Sequence, residues 1–500
     1  MGSRRRHRDS LRIVSSPDPR AAARHEQPEQ TGADDLPTGR LIRATKAAGA
    51  VAPSSMRFFT TLATNVMRSP DDAGELLLRR HEDIADNALA VLGELRGGAM
   101  KIGQLASFVD VELIPPEYRT VYQDRLAELR DAAPPMSWKK IKNVLEREWD
   151  EPVESLFEDF DHDAVAAASI GQVHRAVLPD GRRVAVKIQY PEIADALEAD
   201  LGTAAGLTAV ATPLAKAMMP GIEPRMLIDE VRQLVLEELD YELEAQHQRT
   251  FARAYRGHPF IFVPDVVTSL SRRRVMVSEW VDGMRFPEMQ ELPQAQRDRI
   301  GEILMRFYFH SMDYVRRFNT DSHPGNFLLR ADGSLAFLDF GNVKVVSEHW
   351  LRNGKRAMRA AIEEDKEGFI DAVVELGYVH RREHLDADWL LEQVKLAGDW
   401  FLSDREIRID PEYVGRILAQ VMDPKFLSHG IRVARDLQVP AEEIWFRRVE
   451  IGVFAVLGQI RATGNWHRMA RETWFGDPPA TELGQAELEY FAGRGVTIVR

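Results

Sequence analysis

The 500-residue sequence contains no cysteine. This absence excludes disulfide bonds, thiolate zinc sites and cysteine nucleophiles, and it suits a reducing compartment. Long hydrophobic runs are also missing, because the most apolar stretch, residues 203–219, is interrupted by Pro213 and Lys216. No transmembrane helix is therefore predicted. The basic N-terminus is not followed by an apolar run, so no signal peptide is predicted either, and a cytoplasmic location is expected.

Positive charge is in deficit. The chain has 65 Lys and Arg against 78 Asp and Glu, for a net charge of −13. Such a chain is a poor binder of polyanions as a whole, so no nucleic-acid partner is expected. Residues 54–68 carry apolar side chains at helical spacing between Arg57 and Arg68. That segment could pack on its own domain or make peripheral contact with the inner face of a membrane.

The periodicity of the apolar residues divides the chain into five parts. Residues 1–40 are poor in large apolar side chains and are predicted to form a disordered, basic, proline-rich tail. Residues 41–150 have a helical pattern broken at proline pairs, which predicts a helical extension. Residues 151–282 combine alternating strand patterns with a long helical insert, residues 283–475 are mainly helical, and residues 476–500 are assigned to a C-terminal tail. The expected fold class is α+β, with a strand-rich small lobe before a helical large lobe.

Three polar residues near the middle of the helical lobe suggest phosphoryl-transfer chemistry. Asp321 and Asn326 stand five positions apart, as in the D-x-x-x-x-N catalytic loop of kinases. Asp339 opens an Asp-Phe-Gly triplet after a predicted strand–turn–strand, where kinases place a metal-binding carboxylate. A short hairpin between the two motifs brings these side chains to one pocket, and carboxylate and amide oxygens are the ligands that Mg²⁺ prefers.

A candidate nucleotide clamp precedes these motifs in the order that kinases use. The strand sequence V-A-V-K ends in Lys187, matching the strand whose lysine neutralises nucleotide phosphates. Either Glu238 or Glu244 is the candidate helical partner of this lysine, since residues six apart do not share a helix face. The strand end from Glu279 to Val281 is expected to offer its backbone to the adenine.

A glycine-rich loop is the kinase feature that this sequence lacks. Ala166, Ala167, Ala168 and Ser169 stand where glycines usually let the backbone approach the phosphates. Because alanine tolerates positive φ poorly, this segment is not a copy of the flexible glycine lid. No Walker sequence is present either.

In combination, these motifs resemble the UbiB family of atypical kinases, also called ABC1 or AarF. The resemblance covers roughly residues 75–470. One departure stands out, because the family's Gln-Thr-Asp motif begins here with asparagine. The matching motifs are the Lys-x-Gly-Gln motif from Lys101 to Gln104, the Ala-rich segment, Lys187, the Glu-x-Asp motif from Glu238 to Asp240, and Asn319-Thr320-Asp321.

The resemblance implies a protein-kinase-like two-lobe fold with an N-terminal helical extension over the active site. It implies ATP and Mg²⁺ as cofactors, with Asp321 as the catalytic-loop carboxylate and Asn326 and Asp339 as metal ligands. Lys187 is expected to contact the phosphates, together with the Ala-rich segment and the Glu-x-Asp motif. Lys101 and Gln104 are expected to cover the substrate side of the pocket.

The resemblance also implies partners in isoprenoid-quinone biosynthesis, either membrane lipids and quinone intermediates or the enzymes that handle them. Two different functions stay open. A small-molecule phosphotransferase of the aminoglycoside or choline kinase type has a similar Asp-x-x-x-x-Asn loop. A pseudokinase scaffold would bind a nucleotide to regulate a partner and would not hydrolyse that nucleotide. The phosphoryl acceptor and the oligomeric state are not predicted from the sequence.

Overall fold

The computed structural model describes residues 136–168, 170–191, 236–379, 382, 386–421 and 440–496. All of them belong to one compact unit. Its strands are β1 (Asp159–Phe160), β2 (Ala166–Ala168), β3 (Gly171–Val177), β4 (Arg183–Gln189), β5 (Ile261–Phe262), β6 (Val275–Glu279), β7 (Arg317–Asn319), β8 (Phe327–Leu329), β9 (Leu335–Phe337), β10 (Val343–Val345), β11 (Ile407–Arg408) and β12 (Thr463–Gly464). Its helices are α1 (Trp138–Trp149), α2 (Val153–Leu156), α3 (Tyr241–Ala254), α4 (Phe286–Gln290), α5 (Gln294–Met305), α6 (Ser311–Tyr314), α7 (Glu348–Ile362), α8 (Lys366–Glu375), α9 (Ala387–Ala397), α10 (Asp399–Leu402), α11 (Pro411–Val421), α12 (Ala441–Ile460), α13 (Trp466–Trp474) and α14 (Glu482–Gly493).

The small lobe is built on an antiparallel sheet in the order β1-β3-β4-β6, with β2 paired to β3. Strands β3 and β4, which account for part of the alternating pattern in residues 151–282, form an antiparallel hairpin whose register sets Val173 opposite Lys187. Gly181 adopts a φ of +83° in the connecting turn, which glycine takes without steric cost. Because side chains alternate along a strand, Val184 and Val186 are buried while Lys187 points to the other face.

Helix α1 covers the face of this sheet opposite to Lys187. Its residues Ile141, Leu145 and Trp149 are buried in one cluster with Val186 of β4. Because these positions recur at helical spacing, they form one apolar stripe that meets the sheet. The boundary predicted at residue 150 therefore cuts through the core of the small lobe instead of separating it from the extension.

The large lobe is mainly helical, and its described part contains three small sheets, one of which is the antiparallel β11–β12 pair. Strand β5 pairs in parallel with β9, which is antiparallel to β8, and β7 pairs with β10. Strand β5 is limited to Ile261–Phe262, because Pro264 has no amide hydrogen for a ladder. Among the helices that the structure describes, none is both long and apolar enough to cross a bilayer.

The two strand pairs bring the predicted motifs together. In the β7–β10 pair, Asn319 lies opposite Val343, so the start of the Asp321 loop adjoins the end of the Asp-Phe-Gly triplet. In the β8–β9 pair, Phe327 lies opposite Phe337, so the end of the same loop adjoins the start of that triplet. The backbone amide of Leu338 donates to the carbonyl of Asn326 at 2.8 Å. Loop and triplet are thus fixed against each other at both ends.

The segment predicted as a C-terminal tail, residues 476–500, contains the docked helix α14. Its residues Leu483, Glu487 and Phe491 are spaced four apart and are buried against the large lobe. Glu487 interrupts the apolar stripe, which is why the sequence pattern missed the helix. The carboxylate of Glu487 lies 3.0 Å from Nη1 of Arg306, whose side chain is completely buried in a π-helical turn after α5. Burying that guanidinium requires such partners.

A buried histidine lies near α14. Nδ1 of His258 accepts hydrogen bonds from the backbone amides of Phe260 and Ile261, at 3.5 and 3.2 Å. The ring proton is therefore on Nε2, which has no hydrogen-bond partner among the residues described. Burial lowers the pKa of His258 from 6.5 to about 4, although Glu487 opposes the shift.

Folding stability should fall as the pH decreases from 6.5 towards 4. Over that window the unfolded chain takes up a proton at His258 that the folded chain does not, at a cost of roughly 3 kcal/mol. We expect His258→Asn to reduce the pH dependence of the unfolding free energy, because asparagine retains a side-chain acceptor but cannot titrate. Urea denaturation at several pH values between 7 and 4.5 measures it. Identical pH dependence in the parent and the variant would contradict this assignment.

Candidate active site

Lys187 lies between two carboxylates in the cleft between the lobes. Its Nζ is 2.7 and 2.9 Å from the two carboxylate oxygens of Glu244 and 3.1 Å from Oδ2 of Asp339. The ring of Tyr241 lies 5.0 Å from the same ammonium, within cation–π range. Strand β4, helix α3 and the Asp-Phe-Gly triplet therefore converge on one charged group.

The buried charges of this triad shift one another's pKa values. Burial alone would lower the pKa of Lys187, but the carboxylates of Asp339 and Glu244 outweigh it and raise that pKa well above its usual range. Burial raises the pKa of Glu244 to about 7, although Lys187 opposes the rise. One ammonium does not balance two carboxylates. The excess negative charge suits a site that takes up a cation.

Helix α3 begins at the Glu-x-Asp motif, and this explains which glutamate pairs with Lys187. Asp240 is the N-cap, and its Oδ1 accepts hydrogen bonds from the backbone amides of Glu242 and Leu243. Glu244 lies in the first turn and faces the cleft, whereas Glu238 precedes the cap. Asp240 thus caps the helix that carries Glu244, and the contact with nucleotide expected of it stays a prediction.

Glu238 nevertheless borders the site. A Cβ added to Gly341 would lie 3.3 Å from Oδ1 of Asp339, 3.8 Å from Glu244 and 3.9 Å from Cγ of Glu238. The side chains of Asp339, Glu244 and Glu238 therefore all approach the backbone of Gly341. Phe340 of the triplet is fully buried, with its ring 4.9 Å from that of Phe251 on α3. This contact orients Asp339 towards Lys187.

The side chain of Asn319, 2% exposed, bridges the two catalytic motifs. Its Nδ2 donates to the backbone carbonyl of Asp339 at 2.7 Å, and its Oδ1 accepts from the backbone amide of Asp321 at 2.9 Å. This is the position where the sequence departs from the family's glutamine. The amide holds both backbones at a fixed separation, a function that motif spacing alone does not show.

The residues expected to bind Mg²⁺ offer oxygen atoms. Asp339, whose side chain is 29% exposed, presents a carboxylate at the cleft. The side-chain Nδ2 of Asn326 is buried without a hydrogen-bond partner among the described residues, and its backbone carbonyl accepts from the amide of Leu338, next to Asp339. No group of three or more His, Cys, Asp or Glu side chains suited to a metal occurs in the part of the chain that the structure describes. Two oxygen ligands with the rest from phosphates and water is the usual arrangement for Mg²⁺ in kinases, so the donor set fits.

The Ala-rich segment is a paired strand rather than a loop. In β2, Ala166 lies opposite Val173 and Ala168 opposite Gly171 of β3. A Cβ at Gly171 would lie 2.0 Å from the carbonyl oxygen of Ile188, so only glycine fits this close approach of β3 to β4. The segment gains its rigidity from this pairing, which agrees with the absence of glycines.

The expected adenine hinge follows β6. The amide of Glu279 donates to the carbonyl of Asp265 at 2.8 Å, and the amide of Trp280 donates to the carbonyl of Arg183 at 3.0 Å. Asp282 stabilises the turn that follows, because its carboxylate accepts hydrogen bonds from the indole of Trp280 at 2.8 Å and from the guanidinium of Arg183 at 2.5 Å. Val281 is left as the hinge position without a backbone partner among the described residues.

Four of the predicted site residues are not fully described by the structure. Lys101, Gln104 and Ser169 lie outside the described residues, and for Ala167 only the backbone is described. The expected cover of the pocket by the Lys101–Gln104 helix therefore stays a prediction. Lys187, Glu244 and Asp339 are in direct contact. The backbones of Asp321 and Asn326 are hydrogen-bonded to Asn319 and Leu338, which adjoin the same triplet.

Several known proteins are similar to this chain in sequence and in fold. The family model described as the ABC1 atypical kinase-like domain matches residues 128–373. The solved structure of the Rv3197–erythromycin complex from Mycobacterium tuberculosis superposes with a TM-score of 0.59 at 32% identity, covering 82% of this chain and 100% of that one. The chain belongs to the ABC1, or UbiB, family of atypical kinases. The predicted protein-kinase-like two-lobe fold is likewise confirmed.

Two mitochondrial relatives illustrate how far the similarity extends along the chain. The mitochondrial atypical kinase coq-8 of Caenorhabditis elegans is 28% identical over 79% of this chain and 52% of its own length. The mitochondrial atypical kinase COQ8 of Saccharomyces cerevisiae is 25% identical over 89% of this chain and 87% of its own length. The chain thus spans about half of the nematode relative and most of the yeast relative.

Two contacts of the catalytic loop were not apparent from the sequence. The hydroxyl of Tyr308 donates to the backbone carbonyl of Asp321 at 3.1 Å. A Cβ at Gly452 of α12 would lie 2.1 Å from Oγ of Ser322, so the loop needs a glycine at that helix position. Both partners are more than ten residues away along the chain, and no local pattern marks them.

Replacing Asn319 should loosen the catalytic motifs. Asn319→Ala leaves a buried amide and a buried carbonyl without partners, which should lower the free energy of unfolding by about 1–3 kcal/mol. Asn319→Asp keeps the acceptor for Asp321 but sets a carboxylate against the carbonyl of Asp339, so a larger loss is expected. Urea unfolding measures both. Equal stability of the parent and both variants would show that Asn319 does not bridge the motifs.

Proposed function

We propose that the protein binds Mg²⁺-ATP in this cleft and cleaves or transfers its terminal phosphoryl group. The contact of Lys187 with both Glu244 and Asp339 carries the proposal, because kinases use this triad to set their phosphate and metal groups. The hydrogen bonds of Asn319 to the backbones of Asp321 and Asp339 support the proposal that the catalytic loop serves the same site. Family membership supports kinase-like chemistry. That the bound nucleotide is ATP is our inference.

Each residue then has a distinct chemical task. Lys187 would bind the phosphates, and Glu244 would hold that ammonium in place. Asp339 and Asn326 would hold Mg²⁺, which when bound neutralises charge on the phosphate oxygens. Asp321 would orient the attacking hydroxyl or water and accept its proton. The paired β2 strand would cover the phosphates from above.

The acceptor is proposed to be a lipid, an isoprenoid-quinone intermediate or water rather than a peptide. Only residues 342–347 separate the Asp-Phe-Gly triplet from α7, and half of them form β10, which is hydrogen-bonded to β7. So short a segment has no length to form the extended activation loop on which protein kinases bind peptides. The mitochondrial COQ8 relatives favour the quinone pathway. A cytoplasmic location with peripheral membrane contact is part of this proposal.

A second candidate function is binding of a macrolide-like compound. The observation that favours it is the solved erythromycin complex, whose chain is matched over its whole length at 32% identity. The cleft would also suit phosphoryl transfer to a small molecule of the aminoglycoside or choline type, or nucleotide binding by a non-catalytic scaffold. ATP hydrolysis by the full chain, measured with liposomes, isoprenoid phenols and erythromycin in turn, separates these functions. Nucleotide binding without turnover under every condition would favour the scaffold.

Asp339→Asn should nearly abolish Mg²⁺-dependent binding of ATP. The substitution removes the only carboxylate among the two proposed protein ligands of the metal, and Mg²⁺ prefers charged oxygen ligands. Calorimetric titration of ATP with and without Mg²⁺ measures the loss. Asp388→Asn, at a surface position paired with Lys366, is the matched control and should bind as the parent does. If Asp339→Asn binds Mg²⁺-ATP with unchanged affinity, the metal assignment is wrong.

A further inference from the structure

The C-terminal end of α3 is capped by side chains of α14. The last carbonyls of a helix have no partner within it. The hydroxyl of Tyr490 lies 2.9 Å from the carbonyl oxygens of both Ala254 and Arg256, and it shares its proton between them. Nη2 of Arg494 donates to the carbonyl of Arg253 at 2.8 Å. A guanidinium at this end also complements the helix dipole.

The same face of α14 is also fixed to the large lobe. Its Glu487 accepts from Arg306 at 3.0 Å and contacts Nδ1 of His310 at 2.6 Å. The ring of Phe491 stacks on that of Tyr314, with centroids 3.7 Å apart and planes 7° apart. Helix α14 is therefore a rigid connection between the large lobe and the end of α3.

Helix α3 carries this connection to the active site. Glu244 lies in its first turn and Ala254 is its last residue, a separation of roughly 15 Å at the α-helical rise. A helix of this length moves as a rigid body, so its orientation at one end determines where Glu244 lies at the other. The position of that carboxylate in turn orients the Lys187 ammonium.

We propose that Tyr490 and Arg494 are positioning residues for the kinase site. They hold α3 so that Glu244 reaches Lys187, although neither touches the cleft. The inference rests on the proposed binding of Mg²⁺-ATP. It adds that two residues outside the cleft influence the affinity for Mg²⁺-ATP. It also gives α14 a role beyond burying the apolar surface of the large lobe.

Two variants test this role in the full chain. Tyr490→Phe removes the hydroxyl and keeps the ring against His258, whose centroid is 4.7 Å away. Arg494→Met removes the guanidinium at an exposed position. Tyr490→Phe should raise the Kd for Mg²⁺-ATP about fivefold, the effect of one neutral hydrogen bond, and Arg494→Met should raise it by at least as much, because its donor is charged. Glu489→Gln, on the exposed face of the same helix, should leave the Kd unchanged.

The same substitutions in a Glu244→Gln background separate positioning from general stability. If α14 acts through Glu244, neither substitution should raise the Kd further in that background. A structural role alone would lower the unfolding free energy in both backgrounds and leave the Kd of the folded protein as it was. An unchanged Kd in both single variants, or an equal rise in both backgrounds, overturns the proposal. A parent chain that binds no Mg²⁺-ATP overturns the proposed function first.

Discussion

The ion pair between Lys187 and Glu244 is the interaction on which the rest of the site depends. It joins the central strand of the small lobe to α3, and the same ammonium reaches Asp339 of the large lobe at 3.1 Å. Breaking a buried pair by removing one partner leaves an uncompensated charge, which typically costs several kcal/mol. The fold therefore surrounds this pair with fixed elements. Because two carboxylates face one cation, the net negative charge favours uptake of a further cation rather than a closed, neutral core.

Both ends of α3 are held by side chains from elsewhere, and this explains how one helix can serve as the reference for the cleft. Asp240 caps its first turn, and Tyr490 and Arg494 cap its last. In its middle, Phe251 packs on Phe340 of the Asp-Phe-Gly triplet. The helix thus relates the small lobe, the triplet and α14 to one another. The Asn319 side chain does the same on a smaller scale for the catalytic loop.

Much of this site was predictable because its chemistry is carried by local motifs. The D-x-x-x-x-N loop, the Asp-Phe-Gly triplet and the lysine strand are spacings that hydrogen-bonded hairpins impose, so the order of motifs predicted a kinase-like fold. The choice between Glu238 and Glu244 was not predictable, because it depends on where α3 begins, and Asp240 sets that position. Helix α14 was missed since its inward face contains Glu487, whose partner Arg306 lies 181 residues away. Local patterns do not reveal charges neutralised over such distances.

The most direct test is an experimental structure of the full chain with Mg²⁺ and a non-hydrolysable ATP analogue. The account predicts that the analogue lies in the cleft, with Lys187 on its phosphates and still paired with Glu244. It predicts the metal bound to Asp339 and Asn326, and the adenine against the backbone near Val281. A nucleotide bound elsewhere, or a metal held without Asp339, would contradict the assignment of this cleft as the active site.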